Sequence, residues 1–197
     1  MRIRCGYEIT WDCPVEVPML LTLSVHTSRQ NDLETPDWVR TEPGLDVQKY
    51  IDGFGNVCSR LTAPIGRTVI SADFIIRDSG KVDDFAPNAP QIAVPDLPED
   101  VLIYLMGSRY CETDRLSGFA WNQFGATEPG WARVQAICDW VNSHIKFDYQ
   151  QARPTRSAFE AWQERVGVCR DYAHLAVSLC RCMNIPARYC TGYLGDI

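Results

Sequence analysis

No apolar run in this chain of 197 residues approaches the roughly 20 residues that a helix needs to cross a bilayer, so nothing in it suggests a membrane span. Basic charge is in short supply as well. Nineteen Lys and Arg stand against twenty-five Asp and Glu, a net charge of −6, which leaves no electrostatic footprint for nucleic acid or an anionic membrane surface. The opening MRIRCGYEITWDCP lacks the charged, apolar and small-residue succession of a secretory leader, and a cytoplasmic protein is the default expectation. Internal repeats and low-complexity tracts are missing. Histidine is scarce: only His26, His144 and His174 occur.

Cysteine, by contrast, is abundant, with nine residues. Their number is odd and their spacing irregular, and the chain is apolar enough to build a core without covalent staples, so mostly reduced thiols are expected. Cys180 and Cys182 lack the usual zinc spacing. Together with Cys190 they are expected to be core residues, and no metal and no cofactor is expected.

The first half carries β-structure. RIRCGYEIT, VPMLLTLSV, DVQKYID, VCSRLTA and RTVISADFIIR are short segments rich in Val, Ile, Thr and aromatics, separated by Pro, Gly, Asn and Asp. Gly53, Phe54, Gly55 and Asn56 join two of them with hairpin chemistry. Residues 1 to about 80 are therefore expected to form an antiparallel β-sandwich. Between about 81 and 99, four prolines with few periodic apolar positions predict a linker or extended crossing segment.

Beyond it the hydrophobic period changes from two to about 3.6. Val134, Ile137, Cys138, Val141 and Ile145 predict an amphipathic helix, with Pro129 in its first turn. Ser157 and Glu160 have the spacing of a capping box, which predicts a short helix ending near Gly167. A third helix is predicted from about Cys169 to Met183, with Arg170, His174, Ser178 and Arg181 on one polar stripe and apolar residues over most of the remainder. Asn184 and Pro186 end it, and ARYCTGYL has the composition of a returning strand. The chain thus reads as α+β, a β-rich domain over 1–95 and a helical domain over 96–197.

Cys169 begins the third helix. There the unpaired N–H groups and the helix dipole favour a thiolate, and the same N–H groups can stabilise an oxyanion. Gly167 would leave room for a substrate backbone, or simply end the preceding helix. A free thiol with a pKa of about 8.5 is only a few per cent ionised at pH 7, and a helix terminus contributes roughly 0.3 to 1 kcal/mol, so the dipole alone does not make a poised nucleophile. A histidine usually completes the arrangement. His174 lies on the same predicted helix, turned roughly 140° away and raised by about 7.5 Å. Solvated or capping roles are expected for His174, His144 and His26 alike. A buried, inert thiol at Cys169 stays open as the alternative.

GVCRDYAHLAVSLCRCMNIPARYCTGY closely resembles the core motif of the bacterial transglutaminase-like superfamily: a G-x-C-x-D helix start, a helix, an I-P-A-R turn and a strand ending in G-Y. YLMGSRYCETD, DWVNSHIKFDY and SAFEAWQERVGVC resemble segments that precede this motif, and the β-rich half, with DGFGN, is similar to the N-terminal region of bacterial members. The resemblance implies a papain-like cysteine proteinase fold for the second half. It also implies attack of Cys169 on a peptide or glutamine amide through a thioester, the partner being a protein or peptide substrate. Asp171 matches the family Asp and is expected to brace the helix start. Arg188 matches as a packing or ion-pair residue.

One departure is large. The family carries its catalytic His and then Asp or Asn downstream of the G-Y position, whereas here only LGDI follows Tyr193. This predicts a fragment truncated within its C-terminal sheet, poorly active as it stands. The competing reading is a non-catalytic binding or scaffold module of the same fold.

Overall fold

The computed structural model describes residues 1–193. The chain divides into two compact units, one of Met1–Asp83 with the residues from Gly192, the other of Asp84–Thr191. The first is built from two three-stranded antiparallel sheets. In one, β1 (Arg2–Cys13) and β3 (Arg40–Glu42) flank β6 (Gly66–Arg77); in the other, β2 (Val17–Leu21) and β4 (Gln48–Ile51) flank β5 (Val57–Ala63). Strands β1 and β6 pair over their whole length, from Arg2 opposite Arg77 to Cys13 opposite Gly66. In β6 the buried side chains are Thr68, Ile70, Ala72 and Phe74, the period-two alternation that fixes register by sending one face to the core. Both sheets feed one apolar cluster: Cys13 and Ile70 from the first, Leu21, Leu61 and Ala63 from the second. The expected hairpin is present, with Ile51 opposite Val57 and Asp52 accepting the Phe54 and Asn56 N–H groups at 2.8 and 2.9 Å.

Four α-helices carry the core of the second unit: α1 (Thr113–Phe124), α2 (Trp131–His144), α3 (Ala158–Glu164) and α4 (Cys169–Cys182). Three of them bury residues four apart, Leu116, Ala120 and Phe124 on α1, Ile137 and Val141 on α2, Leu175 and Leu179 on α4. These meet in one core with Ala158, Ala161 and Met183. The capping box at Ser157 forms as its spacing predicts: the Ser157 N–H donates to Glu160 at 2.8 Å and the Glu160 N–H to Ser157 at 3.3 Å. Between the helices, β7 (Lys146–Phe147) and β8 (Val166–Gly167) pair in parallel. This short pairing ties the end of α2 to the residues just before Cys169.

Some expectations fail. Helix α1 has no counterpart in the sequence reading, although Leu116, Ala120 and Phe124 carried its period. Pro129 lies ahead of α2, not in its first turn; Gly130 precedes Trp131 with φ at 98°. A side chain at Gly130 would run into the backbone carbonyl of Ala89, whose oxygen accepts the Trp131 N–H at 3.0 Å. Replacing Gly130 with Ala is therefore expected to destabilise the protein by about 1–3 kcal/mol, read as a lowered urea midpoint. The predicted strand over ARYCTGYL does not form: residues 187–193 are irregular. A strand needs a ladder, and here the Ala187 N–H goes to the Tyr104 carbonyl at 3.1 Å and its carbonyl to Arg181 at 2.8 Å. Tyr193 instead packs within the first unit, edge-on to Phe74 with ring centres 5.4 Å apart. Leu194 falls outside the described residues. No helix among the described residues is long and apolar enough to cross a membrane.

Candidate active site

Cys169 is the first residue of α4 and is exposed. The residue before it, Val168, has extended backbone (φ −116°, ψ 178°) and no side-chain acceptor. The cap is supplied from inside the helix instead. Asp171, at the third position, turns back so that Oδ2 accepts the Val168 N–H at 2.9 Å, satisfying one orphan donor and placing negative charge at the positive end of the dipole. This carboxylate is 1% exposed.

Gly167 has neither of the roles the sequence suggested. It is buried in β8, and a Cβ there would stand 2.6 Å from Asp171 Oδ2 and 2.7 Å from its Cβ. Glycine is required because Asp171 occupies that space. The G-x-C-x-D spacing is thus partly a packing rule, with the carboxylate folded onto the glycine.

A chain of ion pairs secures the same corner. Arg156, 1% exposed, donates from Nη1 to Asp171 Oδ2 at 3.0 Å and from Nε to Glu164 Oε2 at 2.9 Å. Arg153 grips Glu164 with two further bonds of 3.0 and 2.8 Å. Arg170 donates to the carbonyls of Pro154 and Arg153. The segment before α3, the end of α3 and the first turn of α4 are therefore held together. Hydrogen bonds from Arg153 and then Arg156 keep the Glu164 carboxyl below its ordinary 4.5, against the burial that would raise it. A carboxyl depressed on folding contributes stability above its unfolded value and loses it as pH falls through the folded one. The stability gap between the parent and a Glu164→Gln variant is accordingly expected to be full at neutral pH and to close in acid below 4.5, as measured by urea titration across pH.

The polar stripe of α4 is not a solvated face. His174 is 7% exposed and Ser178 fully buried; Ser178 donates to the His174 carbonyl at 2.7 Å, and Arg181 donates to the carbonyls of Ala187 and Met106 at 2.8 and 2.7 Å. The residues around 104–111 and 187–189 cover the stripe. His174 stacks nearly parallel to Tyr110 at 5.4 Å and meets Tyr189 at 4.9 Å, with Nδ1 buried and unpartnered. Burial, and then the charge of Arg170, pull its imidazole below its ordinary value, so it is neutral at pH 7. Burial first, and then charge on Cys169, push the Tyr189 phenol up.

The other histidines are engaged elsewhere. His26 caps a turn, accepting from the Ser28 N–H at 3.1 Å, as expected. His144 sits 2.7 Å from the Trp162 carbonyl and stacks on Trp140 at 4.1 Å. Among the described residues no histidine hydrogen-bonds Cys169. All nine cysteines are free. Cys180 and Cys182 are core residues, pushed by burial to about 12 and about 11, whereas Cys190 is exposed, contrary to expectation, because its segment forms no strand. Arg188 lies 3.4 Å from the Tyr104 hydroxyl, a packing role.

Residues 119–197 match the family profile described as the transglutaminase-like superfamily. This segment is therefore similar to the transglutaminase-like core. The crystal structure of a protein from Cytophaga hutchinsonii titled a "putative cysteine protease" is similar over 94% of this chain, with a TM-score of 0.82 and 26% identity. An uncharacterized protein of Mycobacterium leprae is 24% identical over 177 residues, 85% of this chain. The chain spans 62% of the length of that relative and 65% of the solved chain.

The sequence singles out Cys169 and Asp171 by their spacing, but not Arg156, Tyr110 and Tyr189, which the structure brings to the same end of α4 or against His174. Arg156 left no signal beyond its place one residue before the capping Ser157. An apolar cavity of about 480 Å³, bordered by Pro90, Trp131, Val134 and Pro186, does not include Cys169.

Proposed function

We propose that Cys169 is the nucleophile of an acyl-transfer reaction on peptide or glutamine side-chain amides, with hydrolysis favoured over cross-linking. The sulfur adds to the amide carbonyl carbon, the C–N bond breaks, and the amine leaves with a proton, so that a thioester joins the acyl group to Cys169. Water then releases a carboxylic acid and gives a protease or amidase; an amine as acceptor gives a transglutaminase. The N–H groups at the very start of α4, ahead of the Asp171 N–H that is already bonded to the Val168 carbonyl, are the donors this reading assigns to the carbonyl oxygen as it gains charge.

One observation carries this reading: Cys169 combines exposure with a helix N-terminus inside the segment that matches the family. Cys138 is exposed along α2 and Cys190 in an irregular stretch, so neither has oriented N–H donors beside it. The three histidines of this sequence are not assigned as its base. On this reading the 197 residues alone acylate slowly, and the nine free thiols suit a reducing compartment such as the cytoplasm. The substrate is a protein or peptide. The test is incubation with an activated acyl ester and mass mapping of the adduct; a thioester at Cys169 supports the reading, and acylation spread over Cys138 and Cys190 without preference for Cys169 overturns it.

A further inference from the structure

The ion-pair chain behind α4 contains a group that the acyl-transfer reading does not use. Arg156 is a fully buried cation shared between Glu164 at the end of α3 and Asp171 in the first turn of α4. Asp171 is buried just as completely, and its Oδ1 has no hydrogen bond; the nearest cation to that oxygen, apart from Arg156 itself, is Arg170, 3.8 Å away. A carboxylate so desolvated is costly unless a cation offsets it. It also lies two residues from Cys169, where uncompensated negative charge opposes formation of a thiolate.

We propose that Arg156 is a positioning residue for Cys169. It offsets the charge of Asp171 and fixes the carboxylate that caps the Val168 N–H, so the helix start keeps its brace without setting an unscreened anion beside the thiol. Asp171 thus braces the nucleophile, and Arg156 makes that brace compatible with thiolate chemistry. The inference rests on the reading of Cys169 as nucleophile, deepens it, and does not require Arg156 to touch a substrate. Two features separate it from a general packing role. The guanidinium reaches both carboxylates through different nitrogens, Nε and Nη1, a fork that a lysine cannot reproduce. Glu164, its other partner, belongs to α3 and is additionally held by Arg153, so the two arms can be cut separately. Among the described residues, other charged or titratable groups near the start of α4 include Arg170, His174, Tyr110 and Tyr189, and all four are retained in the variants below.

The experiment uses the full chain carrying Cys138→Ser and Cys190→Ser, to remove the other exposed thiols, and follows iodoacetamide alkylation of Cys169 by peptide mass mapping across pH. Arg156→Met is expected to raise the pH midpoint of alkylation by about one unit and to slow the reaction at neutral pH about tenfold. Arg156→Lys keeps the charge but serves one carboxylate, and is expected to slow it about threefold. Glu164→Gln is expected to lower the unfolding midpoint while leaving the alkylation profile of the parent. If Arg156→Met does not fold, Arg156→Lys decides alone. Parental profiles in the folded Arg156 variants, or a Glu164→Gln profile shifted as far as that of Arg156→Met, would overturn the inference. Its failure is distinguishable from failure of the acyl-transfer reading, because alkylation needs no acyl substrate and the adduct map needs no Arg156 variant.

Discussion

Replacing Cys169 with alanine is expected to abolish thioester formation at that position and, with it, any amide hydrolysis that passes through the thioester. The fold should be unaffected. Cys169 is exposed and has no place in the apolar core of its unit, so Cys169→Ala should leave the unfolding midpoint within about 0.5 kcal/mol of the parent. The measurement pairs a single-turnover acylation assay with urea unfolding of the same preparations. Loss of acylation at unchanged stability identifies the thiol as the reacting group. A Cys169→Ala protein that still forms one stoichiometric acyl adduct elsewhere, or that keeps parental amidase activity, would falsify the assignment.

The second large effect concerns stability. Asp171→Ala removes the acceptor of the Val168 N–H and leaves Arg156 buried with only Glu164 as a partner. Breaking a buried ion pair from one side costs about 3–5 kcal/mol, because the remaining charge stays desolvated. Asp171→Asn is the informative comparison. It keeps the volume packed against Gly167 and one oxygen able to accept the Val168 N–H, but loses the charge, so it should be measurably less damaging than alanine. A loss below about 1 kcal/mol for Asp171→Ala would mean that the pair is screened by solvent and that the corner is held by packing alone. Far-UV circular dichroism alongside the urea titration distinguishes local loosening of α4 from global unfolding.

The elements predicted best are those whose reasons are local. Ser157 and Glu160 close their capping box because both partners lie within one turn. The alternation from Thr68 to Phe74 sets the register of β6 because period two leaves one face to bury. The start of α4 at Cys169 follows from its spacing, and the segment around it resembles the transglutaminase-like core without any tertiary information. In each case the neighbours that fix the structure are only a few residues away along the chain.

The failures share the opposite cause. Arg170, His174, Ser178 and Arg181 form a polar stripe by helical period, and the sequence offered no means of seeing that residues near 104–111 and 187–189 would cover it and supply carbonyls for Arg181. ARYCTGYL has the composition of a strand, but a strand exists only where a ladder receives it, and the Ala187 backbone is engaged by Tyr104 and Arg181. Gly167 looked like an approach for substrate until Asp171 was found folded against it. Arg156 carries no local signal of its own, and its burial depends on carboxylates eight and fifteen residues away.

By itself, the sequence determined the α+β class, the helix that begins at Cys169, the cap at Ser157 and the likeness to an acyl-transfer core. These follow from periodicity and short-range chemistry. Only the tertiary structure decided that Asp171 is a buried brace paired with Arg156, that Tyr189 and Tyr110 flank a neutral His174, and that none of the three histidines hydrogen-bonds the thiol. Those facts depend on which distant groups share desolvated space, where a charge is stable only if its partner arrives with it.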